Sequence, residues 1–236
     1  MLVLINGVMA ITRANAHAIL ARVSPPMVLM VGTGVAGLGL LALSFSGGTV
    51  ATVASALVFA IGIAIVWPTM MGFVAERAQK TGALGLGLMA AAGSLAVGIV
   101  TTPLLGEIAD NHLPDALAKS SVVAVANETL AVTAPKSPQL VSAAQAVSTA
   151  SGPLPAAATG DFLRRAAAGE AGPRVAAKAQ PLLDAGENHS GLLSFRYLVP
   201  FAFAVCLIFG LVVLSDRRAG GYKAQVDRAR LAGAAE

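Results

Sequence analysis

The chain has 236 residues, of which 56% are hydrophobic and 12% charged, with a mean hydropathy of +0.75. Its net charge of +4 does not indicate a nucleic-acid partner, because the basic residues gather at the ends of apolar segments, as membrane orientation requires. The single cysteine, Cys206, excludes an internal disulfide framework and a cysteine-based metal site. His17, His112 and His189 are not at metal-ligand spacing, so we expect no metal and no other cofactor.

The stretch of residues 27–73 contains no Lys, Arg, Asp, Glu or His. A turn sequence at residues 46–49 separates two apolar segments, residues 27–46 and 50–73. A helix rises about 1.5 Å per residue, so about 20 apolar residues cross a hydrocarbon core of about 30 Å. A soluble helix would keep a polar stripe facing water. The stretch therefore predicts a hairpin of two transmembrane helices.

Four glycines fall in the first of these helices, at Gly32, Gly34, Gly37 and Gly39. In water they would argue against a helix, but in lipid the backbone has no alternative hydrogen-bond partner. Small residues also let neighbouring membrane helices approach closely. The glycines therefore predict a close helix–helix contact face.

The first twelve residues are apolar but long enough for only about half of a membrane crossing. One interpretation is a signal peptide, since Ala14-Asn15-Ala16 imitates a cleavage site. However, no basic residue precedes the apolar run, as a signal peptide requires. We favour the other interpretation, the end of a helix whose start is absent, and expect the chain to be truncated.

Two further apolar spans, residues 83–106 and 197–215, bring the prediction to about four complete transmembrane helices plus one partial helix. Short basic loops at residues 13–26 and 75–82, and the basic tail from residue 216, alternate with these spans. All three lie on the cytoplasmic side if the turn at residues 46–49 is external, as the positive-inside rule requires. The C-terminus is therefore predicted to be cytoplasmic.

The long segment of residues 107–195 differs in composition from the spans, with Ala, Pro, Ser and Lys and no sustained periodicity. Residues 161–168 and 175–185 are candidates for short helices. Because such a sequence buries too little apolar area to offset its chain entropy, we expect a low-complexity, partly disordered external loop. The expected divisions of the chain are residues 1–106, 107–195 and 196–236.

A family resemblance rests on the run WPTMMGFVAER at residues 67–77, followed by KTGAL at residues 80–84. Together with the TR…SP loop before Met27, the long insert and the closing GGYKA at residues 220–224, this run resembles the major facilitator superfamily. The similarity is to bacterial members often labelled sugar transporters. It covers essentially the whole chain, but only the second half of the family's fold.

The resemblance implies an all-α membrane bundle in the bacterial inner (plasma) membrane, made of the end of helix 8 and helices 9 to 12. It also implies that helix 7 and an N-terminal six-helix domain of the same protein are missing. The implied function is secondary active transport or symport of a small solute, sugar- or nucleoside-like, by alternating access between two rocking bundles. The substrate itself is not implied, because it varies freely on one fold.

Glu76 and Arg77 end the span that precedes the second basic loop. In similar transporters an acidic residue here pairs with a basic residue of the previous loop and holds the inner gate shut. Arg13 is the first candidate partner and Arg22 the second, although the family's Asp in that loop is absent. Alternatively, these charges only fix topology, since exposed ion pairs contribute about 0–1 kcal/mol.

Polar residues within the spans are candidates for lining the solute cavity. Trp67 is a candidate for stacking on a sugar ring, although a tryptophan near a span end is more typical of the interfacial belt. Pro68 predicts a helix bend, because it removes one backbone hydrogen bond. Ser and Thr commonly bond to their own helix backbone, so each remaining candidate is weak alone. These candidates are Asn6, Thr69, Ser94, Thr101 and Thr102.

The predicted spans contain no Asp, Glu or His. A charge at mid-membrane costs at least about 2.5–3.5 kcal/mol, so such residues within a span are typical of a proton relay. No catalytic triad or phosphate-binding pattern is present either, so we expect no enzyme activity and no catalytic residues. The expected partners are the lipid bilayer, a small solute and the missing six-helix domain. A non-transporting membrane scaffold that acts by helix association is the alternative.

Overall fold

The computed structural model describes residues 2–16, 20, 22–77, 82–132 and 137–227, and these are helical with no β-strand among them. The predicted all-α class is therefore confirmed. His17, Lys80 and the end of the predicted basic tail, from residue 228, lie outside the described residues. The chain divides into two compact units: a first unit, Met1–Val100 with Phe195–Glu236, and a second unit, Thr101–Ser194.

The first unit begins with five α-helices and a π-helical turn that runs on to Thr101. The helices are α1 (Leu2–Ala14), α2 (Pro25–Ser44), α3 (Thr49–Ala64), α4 (Val66–Arg77) and α5 (Gly82–Leu95), and the turn is Ala96–Thr101. The second unit continues with α6 (Thr102–His112), a 3₁₀ turn (Leu113–Ala116), α7 (Lys119–Ala131), α8 (Pro138–Ser148) and α9 (Ala156–Ala167). The last helix, α10 (Pro173–Arg218), belongs to the first unit from Phe195 onward.

Four helical segments are long and apolar enough to cross a membrane, by length and composition. They are Pro25–Ser44, Thr49–Arg77, Gly82–Ala116 and Pro173–Arg218. Each overlaps one of the four complete spans predicted above, and α1 is a shorter apolar helix. These segments fit a multi-pass membrane protein.

Helices α2 and α3 pack so closely that glycine is required at two positions. A Cβ added at Gly62 would lie 2.4 Å from the backbone nitrogen of Ala36, and one added at Gly39 would lie 2.5 Å from that of Phe59. Real Cβ contacts are never this short, so any side chain at either position would push the helices apart. The hairpin therefore depends on backbone-to-backbone contact, as small residues permit in membrane helices.

Two further glycines of α2 face α10, whereas Gly32 faces α3 near Gly62. A Cβ at Gly34 would lie 3.3 Å from the Cys206 sulfur, and one at Gly37 would lie 3.4 Å from the Ala202 Cβ. The Cys206 thiol also donates a hydrogen bond of 3.2 Å to the carbonyl of Met30. The predicted glycine contact face is thus confirmed, and it serves two neighbouring helices.

The second unit has its own hydrophobic core, centred on Phe162 and Leu113, both fully buried. The expectation of a partly disordered loop is wrong for the described part of residues 107–195, which forms helices around this core. Alanine contributes to the difference, because buried alanines let helices pack closely between the larger side chains of this core. The core includes Ala126, Ala143, Ala144, Ala166 and Ala179.

The surfaces of the two units differ sharply in their apolar content. Leu104 is the only large apolar side chain exposed among the described residues of the second unit. The first unit exposes many, among them Leu84, Leu88, Phe201 and Leu211. Extensive apolar surface such as that of the first unit marks contact with lipid or with other protein.

Candidate functional site beside Pro68

The membrane-length segment Thr49–Arg77 is interrupted at Ile65, three residues before Pro68. Proline has no N–H, so the carbonyl of Ala64 loses the donor that a regular helix would supply four residues later. Arg13 supplies a replacement, because its Nε donates to this carbonyl at 2.9 Å. The interruption therefore lies where the sequence predicts an effect of Pro68.

A cleft of about 840 Å³ opens in the first unit beside this interruption. It lies between the chain that leads into α2, one face of α4 and the chain that follows α10. Pro68 contributes to its wall, and the side chains with polar groups include Arg22, Thr69, Glu76, Tyr222, Lys223 and Asp227. Four predicted site residues, Arg22, Pro68, Thr69 and Glu76, thus meet at one site.

Thr69 supplies a buried hydroxyl to this cleft. Its side chain is only 3% exposed, and its Oγ1 atom has no hydrogen-bond partner. This is unusual for a helical threonine, since Thr33 in α2 donates from Oγ1 to its own helix, at the carbonyl of Leu29, over 2.7 Å. An unpaired buried hydroxyl costs free energy, so Thr69 is a group that a polar ligand in the cleft would satisfy.

Charged groups of both signs line the cleft. Arg22 and Lys223 are basic, and Glu76 and Asp227 are acidic. Opposite charges in equal number do not favour a ligand of one sign. Together with the Thr69 hydroxyl, they provide donors and acceptors that suit an uncharged polar solute.

Glu76 and Arg77 bind partners that the sequence analysis did not select. Glu76 accepts a hydrogen bond from the hydroxyl of Tyr222, and Arg77 forms an ion pair with Asp216. Burial, reinforced by the bond to Glu76, raises the pKa of the Tyr222 phenol. The structure does not contain the predicted pair of Arg13 with Glu76, because Arg13 is engaged by the carbonyl that Pro68 leaves free.

Tyr222 also belongs to an aromatic and cationic cluster at the end of α4. Its ring stacks on Phe73 with centroids 6.3 Å apart and planes inclined at 21°. The guanidinium of Arg77 lies 5.0 Å from the Phe73 centroid and 5.6 Å from the Tyr222 centroid. The only signals in the sequence are the aspartate at the end of the last span and the Gly-Gly-Tyr sequence that follows it.

Arg196 also makes contacts that the sequence analysis did not predict. Its Nε donates to the Ser44 hydroxyl at 3.0 Å, and its guanidinium lies 4.6 Å from the centroid of Phe45. Asp216 follows about 20 residues later in the same helix, a length of about 30 Å. Polar anchors therefore bracket a stretch of α10 that matches the thickness of a hydrocarbon core.

The other predicted cavity residues do not line the cleft. Asn6 and Ser94 are exposed in the first unit, and Thr101 belongs to the second unit. Trp67 is about half exposed at 48%, and its ring lies 3.8 Å from where a Cβ at Gly93 would be. The ring therefore lies beside α5 and not in the cleft.

No protein-family model, curated protein or solved structure matches the chain.

Proposed function

We propose that the chain is the C-terminal part of a secondary active transporter of the major facilitator type, which moves a small solute by alternating access. The observation that carries the proposal is the cleft beside the interrupted α3–α4 segment, with the unpartnered Thr69 hydroxyl buried in it. A transporter needs polar groups inside an apolar bundle and a helix that changes shape, and substrate sites commonly form at broken helices. The resemblance of residues 67–84 to the family supports the same assignment.

The proposed setting is the bacterial inner (plasma) membrane, with a cytoplasmic C-terminus. Support comes from the apolar surface of the first unit and from the polar anchors at Arg196 and Asp216. The cleft then opens toward the cytoplasm, since it is lined by the first basic loop and the chain after α10. The second unit would lie outside the membrane, in agreement with its polar surface.

The proposed solute is small, polar and uncharged, such as a sugar or a nucleoside. The balanced charges around the cleft and the Thr69 hydroxyl favour this class over an ion. In this proposal the N-terminal six-helix domain supplies the opposite wall of the cavity. Any group that takes up a coupling proton in symport would belong to that domain.

Transport is tested with the chain joined to the six-helix domain that the proposal places before it, reconstituted in liposomes and supplied with labelled sugars and nucleosides. We expect uptake of one class, reduced up to about tenfold by Thr69→Val, which removes one hydrogen-bonding hydroxyl. Thr33→Val is the matched control, because the Thr33 hydroxyl already binds its own helix. Uptake that is absent, or equally sensitive to both variants, would contradict the proposal.

Orientation is tested with single cysteines in a Cys206→Ser background and an impermeant thiol reagent on sealed vesicles. Gly47→Cys in the α2–α3 turn and Ser142→Cys in the second unit should react from one side. Asp227→Cys should react only from the other side. Labelling of Gly47→Cys and Asp227→Cys from the same side would exclude the proposed topology.

A membrane scaffold that acts by helix association is the second candidate. It is favoured by α5, which has no buried residue although it is strongly apolar. A scaffold would use this face to bind another membrane helix without moving a solute. Leu84→Ala and Leu88→Ala, both at exposed positions, would then weaken association in detergent while uptake stays absent in every form of the protein.

A further inference from the structure

We infer that residues 219–227, here termed the C-terminal strap, form a latch that closes the cleft from one side and releases to open it. This inference concerns access to the cleft and does not depend on transport. It rests on three features of the first unit: a reversal of the chain after α10, an ion pair at Asp216, here termed the anchor, and the contacts of Tyr222, here termed the catch.

Two glycines reverse the chain at the base of the strap. Gly220 and Gly221 have φ angles of +94° and +97°, which other residues adopt only at a cost. The N–H of Gly221 donates to the carbonyl of Asp216 at 2.7 Å, the bond of a Schellman-type helix end. The chain therefore stops α10 abruptly and returns toward α4.

The anchor of the strap is the ion pair between Asp216 and Arg77. Asp216 is only 4% exposed, and the Arg77 guanidinium lies against two aromatic rings. A paired charge in such a site is costly to separate, because the partner would be left buried and unpaired. The end of α10 is therefore held firmly to the end of α4.

The catch is formed by Tyr222, six residues after Asp216 in the chain. Its hydroxyl donates to Glu76 and its ring stacks on Phe73, while Val226 is buried behind it. The Tyr222 ring is also one of the two rings beside the Arg77 guanidinium. The cleft lies directly beside these contacts, since Phe73, Glu76, Tyr222 and Val226 all line it. Release of the Tyr222 contacts would remove one wall of the cleft, whereas the ion pair of Arg77 with Asp216 and the contact of Arg77 with Phe73 do not require Tyr222.

The test measures how quickly a thiol in the cleft reacts with a water-soluble maleimide, using the full chain in detergent. Thr69→Cys in a Cys206→Ser background is the reporter, because Thr69 is buried in the cleft. Tyr222→Phe keeps the ring and removes the bond to a charged acceptor, so labelling should become about tenfold faster or more. A chain that ends at Ala219 should label at least as fast.

Two controls separate latch release from general loosening. Tyr197→Phe changes the other tyrosine of the chain and should leave the labelling rate unchanged. Ala56→Cys reports on the buried α2–α3 hairpin and should remain slow to react in the Tyr222→Phe background. The latch is overturned if Tyr222→Phe leaves the Thr69→Cys reporter unchanged, or if it accelerates both reporters equally.

Discussion

Arg13 donates a hydrogen bond of 2.9 Å from Nε to the carbonyl oxygen of Ala64, which is fully buried. The partner is a backbone group that its own helix cannot satisfy, because residue 68 is proline. A side chain near the end of α1 thus completes the hydrogen bonding of a helix at a carbonyl 51 positions later in the chain. It ties α1 to the point where α3 gives way to α4.

This relationship predicts energetic coupling between Arg13 and Pro68. Arg13→Ala should lower the free energy of unfolding by about 1.5–3 kcal/mol, since it removes a charged donor and leaves a buried carbonyl unpaired. In a Pro68→Ala background the new N–H at residue 68 can bind Ala64, so the same change should cost about 1 kcal/mol or less. A double-mutant cycle, followed by fluorescence of the single Trp67 during denaturation in micelles, measures the difference.

Additive effects of the two substitutions would show that Arg13 acts independently of the proline. Arg22→Ala is a suitable control, because Arg22 is exposed at the cleft and has no role at Ala64. Its effect should be the same with proline or alanine at position 68.

The α2–α3 contact predicts a strong dependence on position for glycine substitution. Gly62→Ala should destabilise the hairpin by about 1–3 kcal/mol, because the added Cβ would lie 2.4 Å from the nitrogen of Ala36. Gly87→Ala is the matched control, since nothing lies within 4 Å of a Cβ there. The control should be neutral or stabilising by up to about 1 kcal/mol, from helix propensity alone. Equal losses in unfolding free energy would argue against the close contact.

The long apolar helices and the glycine contact face were predictable because each corresponds to a simple pattern in the sequence. Absence of charge over about 20 residues is typical of a membrane-spanning helix, and glycines in such a helix favour close packing. The cleft was predictable only in part. Thr69 and Glu76 lie on one stretch of α4, but no periodicity shows that residues 220–227 return to meet them.

The second unit escaped prediction in part because six of the fifteen described residues of its buried core are alanines. Counting large apolar side chains underestimates what closely packed alanines such as Ala144 and Ala166 bury. Gly186 also permits close packing in this unit, since a Cβ there would lie 2.9 Å from the Leu113 side chain. Composition alone could not distinguish such packing from a flexible, alanine-rich linker.

The raised pKa of Tyr222 predicts a pH dependence of the strap contact. Burial comes first among its causes and the hydrogen bond to Glu76 second, while Arg77 acts in the opposite direction. The folded protein therefore holds the proton of the Tyr222 phenol more tightly than the unfolded chain does. The contact of Tyr222 with Glu76 is fully present below a pH of about 10, the ordinary pKa of tyrosine, and weakens as the pH rises above it. In a Tyr197→Phe variant, tyrosinate absorbance should report Tyr222 alone. Its ionisation should occur at a higher pH in the folded protein than in the unfolded chain. Glu76→Gln should bring the pKa back toward the ordinary value, and no change would contradict the role of this bond.

The second unit should fold alone in water. A fragment covering residues 101–194 contains the whole buried core and exposes no large apolar side chain beyond Leu104 among its described residues. We expect a helical monomer without detergent, by circular dichroism and sedimentation. Phe162→Ala should cost about 3–5 kcal/mol through loss of a fully buried ring, and Ser142→Ala at the surface should cost little. Aggregation without detergent would mean that its core is incomplete without the rest of the chain.

The buried hydroxyl of Thr159 should destabilise the second unit, and the fragment of residues 101–194 allows this to be measured. The Thr159 hydroxyl is fully buried in the second unit and has no hydrogen-bond partner, so its dehydration is uncompensated. Replacing it by valine keeps the shape and removes the penalty, so Thr159→Val should raise the free energy of unfolding by about 1 kcal/mol or more. Thr129 is the matched comparison, since its hydroxyl donates to the carbonyl of Val125 at 2.8 Å, and Thr129→Val should give no such gain. Urea unfolding of the two variants decides the point: equal effects would show that the Thr159 hydroxyl is satisfied in solution by a water molecule or another group.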